Sequence, residues 1–390
     1  MKIAIVRKKY TPFGGAERSA AALVEGLLDN GHEVHIFAHQ WKEGDGPARR
    51  LYFHKVPIVP GASFLQVLSF ALNSARLLKR ERFDLIHSFE RTLYQDIYRA
   101  GDGCHREWLA RREKVVGPFK RALTSINPFH LSILAIERYI FREGNYKLII
   151  ANSQMGMEEI TRHYNVPPER IGVVYNGVDL ERFSPRNKAI YREGTRKSIG
   201  IAQDELMVLF VGSGFERKGL DFLLQAIALV KKGSGQPIKL VAVGKGREQK
   251  YARIARKIGL AQDVIFIGPT ERVREFYAAA DIFALPTIYD PFSNACLEAM
   301  ASGLPVITSR ANGAAELLSG GAGLIVEDAT DSKKIAGALL YLNDPETRYE
   351  IGLRARQKAE AFSIQGHVQK TIDLYEKVSS GFNGLSPIRG

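Results

Sequence analysis

Short, almost wholly apolar runs rich in β-branched residues recur along this chain, each followed by a stretch of helical character. In the front half they are IAIV at 3–6, VHIF at 34–37, LYFHKV at 51–56, LIHS at 85–88 and LIIA at 148–151. In the back half they are LMVLFV at 206–211, KLVAV at 239–243, VIFI at 264–267, IFAL at 282–285, VIT at 306–308 and GLIV at 323–326. A strand covered on both faces has no need of polar alternation, so runs of this kind read as parallel strands sandwiched between helices. Helices are predicted over 15–30, 219–232, 248–260 and 273–280. The fold class expected is α/β: two Rossmann-like domains whose parallel sheets face a central cleft.

The seam is placed at VYNGVD, 174–179, and the polar stretch running on to residue 197 is read as linker. This gives a front domain over 1–174 and a back domain over 175–371, with a closing helix over roughly 372–390 expected to pack back on the front domain. A chain of 390 residues with 45 % hydrophobic content can bury two cores, and 25 % charged residues is ordinary for folded protein. The two cysteines, Cys104 and Cys296, have no metal-ligand spacing and imply a reducing compartment. The first ten residues lack the order of a secretory signal, and no apolar run reaches the ~18–20 residues of a membrane span. The net charge is +13, and the first 170 residues hold 26 basic against 18 acidic side chains, a net of +8. The excess suits an acidic surface or acceptor, although a solvated basic face would account for it equally.

Two segments carry the chemistry. In GSGFERKG, 212–219, a glycine turn closes the run at 206–211 and places Arg217 and Lys218 at a helix start. Glycines such as Gly214 let backbone N–H groups approach a phosphate, the helix N-terminus favours negative charge, and two cations complete an anion site. In YDPFSNACLEAMASGLPVI, 289–307, Asp290 lies in a loop and Glu298 lies eight residues on, inside a largely apolar helix. An anion grip beside two carboxylates suits a ligand bearing both phosphates and hydroxyls, such as a nucleotide-sugar.

These segments resemble the retaining glycosyltransferases of family 4, which have the GT-B fold. KYTPFGGAER near 9–18, DNGHEVHIFAHQW at 29–41 and DIYRAGDGCHREW at 96–108 narrow the resemblance to the lipopolysaccharide core glucosyltransferases. The resemblance implies that Arg217 and Lys218 contact the donor diphosphate, that Glu298 takes the ribose hydroxyls, and that Asp290 holds the donor sugar with backbone N–H groups of Phe292 and Ser293. It also implies that Gly14 and Gly15 close on the phosphate and sugar, and that Asp102 lies near the reacting sugar. His105, Asn176 and Gly177 are weaker candidates, each as readily structural. The donor implied is a UDP-sugar, UDP-glucose above all, and the acceptor a lipid-anchored glycan. Mannosyl, galactosyl and N-acetylhexosaminyl transferases of envelope or exopolysaccharide synthesis share these positions, so the sugar stays open.

Residues 105–142 carry eight basic and three acidic side chains, with Trp108, Val115, Val116 and Phe119 interleaved. That mixture suits the surface of an anionic membrane, and the resemblance implies an enzyme at the inner face of a bacterial cytoplasmic membrane. No D-x-D motif occurs, so no metal and no cofactor are expected. A nicotinamide fingerprint fails at Arg217 and again at Gln249, where its third glycine belongs. A non-catalytic nucleic-acid- or membrane-binding protein is permitted by the charge, but no nucleic-acid-binding module appears and no nucleic acid partner is expected.

Overall fold

The computed structural model describes residues 1–10, 15–41, 50–235 and 237–380. The chain forms two compact units, one from residues 1–177 together with 364–390, the other from 178–363. The first unit contains β1 (Lys2–Val6), β2 (Lys9–Tyr10), α1 (Gly15–Asp29), β3 (Glu33–Ala38), β4 (Gln40–Trp41), β5 (Leu51–Lys55), α2 (Ser63–Leu78), β6 (Leu85–Ser88) and β7 (Ile97–Arg99). It continues through α3 (His105–Val115), α4 (Pro118–Ser125), α5 (Pro128–Ile140), β8 (Leu148–Ala151), α6 (Gln154–Tyr164) and β9 (Ile171–Val173). Its seven-stranded sheet is parallel throughout and runs β5-β3-β1-β6-β7-β8-β9, while β2 and β4 pair separately.

The second unit contains α7 (Asn187–Ser198), β10 (Leu206–Val211), α8 (Leu220–Ser234), β11 (Ile238–Val243), α9 (Glu248–Lys257), β12 (Val264–Gly268), α10 (Val273–Ala279) and β13 (Ile282–Leu285). After these come α11 (Asn294–Ala301), β14 (Val306–Ser309), β15 (Leu324–Val326), α12 (Ser332–Tyr341) and α13 (Pro345–Ala359). Its sheet, also parallel, runs β12-β11-β10-β13-β14-β15. In each sheet the chain works outward in one direction, returns to the centre and works outward in the other. The reversal falls between β1 and β6 in one unit and between β10 and β13 in the other. Open α/β sheets bind ligands beyond the carboxyl ends of the strands at such reversals.

The apolar runs became strands because burial on both faces rewards them: Met207 to Phe210 and Ile282 to Leu285 are wholly buried. The closing helix, α14 (Ile364–Ser379), belongs to the first unit. Ile372, Leu374 and Tyr375 join the core formed by Leu23, Val24 and Leu27 of α1 and Ile3 and Ile5 of β1. The approach of the two helices needs Gly26, where an added Cβ would fall 2.4 Å from Cγ1 of Val368.

The polar stretch read as linker is a helix over its second half. Arg192 and Arg196, one turn apart on α7, reach Asp281 at 2.7 and 3.2 Å, and Arg196 also donates to the carbonyl of Ala279 at 3.0 Å. Asp281 accepts from the backbone N–H of Met207 at 2.8 Å as well, which ties α7 to the start of β10. One charged face therefore points inward. Composition alone cannot separate such a face from a solvated one.

Candidate active site

In the second unit the loops after β10 and β13 flank the reversal and lock together. Gly214 adopts φ +78°, open to glycine without strain, and its carbonyl accepts from Lys218 N–H at 3.2 Å. Gly219 adopts φ +77°, and a Cβ there would meet the Pro286 carbonyl oxygen at 1.8 Å, so the two loops touch backbone to backbone. The carbonyl of Arg217 accepts from Ile288 N–H and from Thr287 Oγ1, both at 2.9 Å. Arg217 Nη1 donates back to the Tyr289 carbonyl at 3.2 Å, and Lys218 Nζ donates to Asp290 Oδ2 in a buried ion pair.

Two details differ from the sequence reading. Arg217 and Lys218 sit in the turn that precedes α8, which begins at Leu220, because Gly219 must pass Pro286 before the helix can start. Lys218 is also matched to a carboxylate within the protein, so the pair Lys218–Asp290 acts as one unit. Ser213 and Gly214 are exposed and Arg217 is half-buried, leaving backbone groups and one guanidinium accessible at the mouth of the loop.

Beneath this lies a buried polar brace centred on Asn312, which the sequence reading missed. Its Oδ1 accepts from Ser293 N–H at 3.2 Å and Ala314 N–H at 3.1 Å, while Nδ2 donates to Thr308 Oγ1 at 2.9 Å and Cys296 Sγ at 3.3 Å. Asp290 N–H donates to the Ala311 carbonyl and Gly313 N–H to the Asp290 carbonyl, each at 2.9 Å. The backbone N–H of Ser293, expected to hold a sugar hydroxyl, is thus spent on Asn312. The Ser293 side chain caps α11, accepting from Cys296 N–H at 3.4 Å. Phe292 is buried beside it. Burial pushes the Cys296 thiol up to about 11, which makes it a packing residue and no nucleophile.

Glu298 lies on α11 as expected, among the buried Cys296, Leu297, Ala299 and Met300, and is itself only partly buried. Tyr277 of α10 donates its hydroxyl to Oε2 at 3.0 Å and so orients the carboxylate. No sequence signal pointed to Tyr277, because the contact joins helices 21 residues apart.

The remaining candidates belong to the first unit. Gly14 lies outside the described residues, and Gly15 is the first residue of α1. Asp102 occupies an exposed turn after β7, its carboxylate 3.3 Å from Arg91 Nη1. Arg91 is anchored in turn on Glu137, which is fully buried and also accepts from His105 N–H at 2.9 Å and Tyr164 hydroxyl at 2.8 Å. That buried carboxylate fixes both the turn and the first residue of α3. The His105 ring shares a hydrogen bond with His130 at 3.0 Å, and burial with the nearby Arg91 charge drives its pKa to about 3. Neutral and paired, His105 is structural here. Asn176 accepts from Arg99 at 2.7 Å.

Among the described residues one set, His35, His54 and Glu81, offers metal-ligand atoms within 4.8 Å of one another. These groups already satisfy each other and their neighbours. His35 bonds His54 and Glu33 at 2.8 Å each, and Glu81 pairs with Lys2.

Asn312→Ala removes the acceptor of two N–H groups and the donor to two others within a buried brace. The expected loss is about 3 kcal/mol of stability in the second unit, together with weakened nucleotide binding. Calorimetric unfolding and titration with UDP check both, and wild-type values in either would remove the brace from the account.

Residues 192–358 match the family model of glycosyl transferases group 1, and residues 13–182 match that of Glycosyltransferase Family 4. Lipopolysaccharide glucosyltransferase WaaG of Escherichia coli is 25 % identical over 386 residues, spanning 98 % of this chain and all of its own. A WaaG crystal structure superposes with a TM-score of 0.82 over 96 % of this chain and 99 % of that one. A D-inositol 3-phosphate glycosyltransferase of Corynebacterium kroppenstedtii is 31 % identical over 242 residues, 60 % of this chain and 53 % of its own. The fold is shared with Anabaena Alr3699/HepE in complex with UDP-glucose, 20 % identical, with a TM-score of 0.73 over 97 % of this chain and the whole of that one. With both halves matched and the two sheets in place, the chain belongs to the family 4, group 1 glycosyltransferases of the GT-B type.

Proposed function

We propose that this chain is a retaining, metal-independent hexosyltransferase that moves a hexose, glucose by its likeness to WaaG, from a UDP-sugar to a heptose of the lipopolysaccharide inner core. The observation that carries this reading is the Lys218–Asp290 pair, which joins the loops on either side of the sheet reversal and leaves Arg217 at the mouth. Lys218 has three N–H donors, and only one is needed for Asp290. The others, with the Arg217 fork and the exposed turn at Gly214, suit the donor diphosphate. Glu298, oriented by Tyr277, suits the ribose diol. Asp290 then has two tasks, holding Lys218 through Oδ2 and offering Oδ1 to a sugar hydroxyl.

In the front-face route the acceptor oxygen bonds to the anomeric carbon on the side from which UDP departs. The anomeric carbon–phosphate oxygen bond breaks with its electron pair going to UDP, and the acceptor proton passes to a departing diphosphate oxygen. Catalysis then rests on stabilising the leaving charge. Losing one preorganised contact of this kind costs about 10²–10³ in rate. Lys218→Ala is expected to lose turnover by about that factor when the rate is taken per folded molecule, because Asp290 left buried without its partner also lowers stability. Wild-type activity is expected to be indifferent to EDTA. Near-wild-type turnover in the variant, or abolition by EDTA, would contradict the assignment. Asp102, held outward by Arg91, is assigned to the acceptor side.

The same reading places the protein at an anionic membrane surface. Of the apolar residues singled out in the 105–142 region, Trp108, Val115 and Val116 are half-buried and Phe119 is 77 % exposed. Leu123 and Ile126 follow at helical spacing, 50 % and 69 % exposed, with Lys120 and Arg121 beside them. An exposed apolar stripe edged by cations suits shallow insertion among acidic headgroups, each basic residue adding on the order of 1 kcal/mol. Among the described residues no helix is long and apolar enough to cross a membrane. Phe119→Asp with Leu123→Asp is expected to abolish sedimentation with phosphatidylglycerol vesicles while UDP binding persists; undiminished sedimentation would remove α4 from the membrane surface.

A further inference from the structure

At the reversal of the first sheet, a row of side chains is left over by the donor chemistry. Ile5 lies opposite His87, and His87 opposite Ile97. Two residues further along each strand the side chains return to the same face, which sets Arg7, Phe89 and Arg99 side by side at the carboxyl ends of β1, β6 and β7. The two guanidinium groups lie 5.8 and 5.9 Å from the Phe89 ring centre.

Arg99 is 5 % exposed. Its Nη2 donates to Asn176 Oδ1 at 2.7 Å, while Nη1 is buried with no hydrogen-bond partner. Among the described residues no carboxylate pairs with it. Burial, reinforced by the like charge of Arg7 and only partly opposed by Tyr375, holds its pKa down to about 10. His87, fully buried, has an unpartnered Nε2, and His367 is driven to about 3 by burial and by Arg99. These neighbours are neutral and supply no counter-charge. A buried cation without an anion is costly, and Arg91 in the same unit shows the usual remedy by resting on Glu137. Among the described residues Arg99 has no such remedy.

We propose that Arg99, with Arg7 and Phe89 beside it, binds the phosphate monoester of a phosphorylated sugar or polyol on the acceptor side of the reaction. A phosphate monoester carries close to two negative charges near neutral pH and offers a counter-charge to Arg99, and its oxygens suit the flat donor fork of arginine. Arg7 also feels the Glu90 carboxylate, so Arg99 carries the site. The acceptor assignment rests on the proposed function, whereas the anion site itself stands on the geometry of Arg99.

Thermal unfolding of the full chain, with sodium phosphate against sodium chloride at matched ionic strength, tests the site. Phosphate at ten times its Kd is expected to raise the Tm of the first unit by about 3–6 °C. The shift should persist in the double variant Arg217→Ala, Lys218→Ala and vanish in Arg99→Met. Without phosphate, Arg99→Met should be at least as stable as wild type, which a purely structural arginine would not allow. Should Arg99→Met fail to fold, Arg99→Lys, with the charge but without the fork, is expected to keep a weakened shift. No shift in wild type, a shift lost in the donor-loop double variant, or an undiminished shift in Arg99→Met or Arg99→Lys, overturns the proposal. UDP titration of the same proteins separates the two readings, because the donor site can fail while the phosphate shift remains.

Discussion

The ion pair between Lys218 and Asp290 ties together two loops whose residues lie 72 positions apart, and the back unit is arranged around it. Removing two charges from water is expensive, and their attraction repays the cost only where geometry and further hydrogen bonds are good. Those conditions explain the surroundings. Gly219 lets the loops touch, Thr287 and Ile288 hold the Arg217 carbonyl, and Asn312 fixes the segment that carries Asp290. The pair is weak evidence for stability and good evidence for positioning. Lys218 is held in one place before any ligand arrives, which is what a preorganised anion site requires.

The two units share a strand order around their reversals and differ in how the cations there are balanced. In the back unit Lys218 has its own carboxylate, and a ligand need only share it. In the front unit Arg91 rests on Glu137, yet no carboxylate among the described residues pairs with Arg99, eight residues further along. One sheet thus presents an internally neutralised cation and the other a buried guanidinium with an unpartnered Nη1.

Much of the fold was legible because burial on both faces writes a continuous apolar run. The runs at 85–88, 148–151, 206–211 and 282–285 coincide with β6, β8, β10 and β13. The strands β7 and β9 were not legible: each is three residues long, and β7 ends in the buried Arg99, whose charge disguises a strand as a loop. The helix α7 was hidden for a related reason, its inward face being two arginines matched to Asp281. At the site, Arg217, Lys218, Asp290 and Glu298 stood out because glycine turns and carboxylates at fixed offsets carry their chemistry locally. Asn312, Tyr277 and Glu137 did not, since each acts through a partner that is remote in sequence and met only in the folded chain. The amide of Ser293 was misread for the same reason.

Calorimetric titration of the purified protein with UDP, UDP-glucose, UDP-galactose, UDP-N-acetylglucosamine, GDP-mannose and NAD tests the central claim most directly. The account predicts selective binding of UDP and UDP-glucose, lost in Arg217→Ala. Preference for GDP-mannose would discard the UDP-glucose assignment, and binding of NAD alone would contradict the reading of the loops after β10 and β13 as a nucleotide-sugar site.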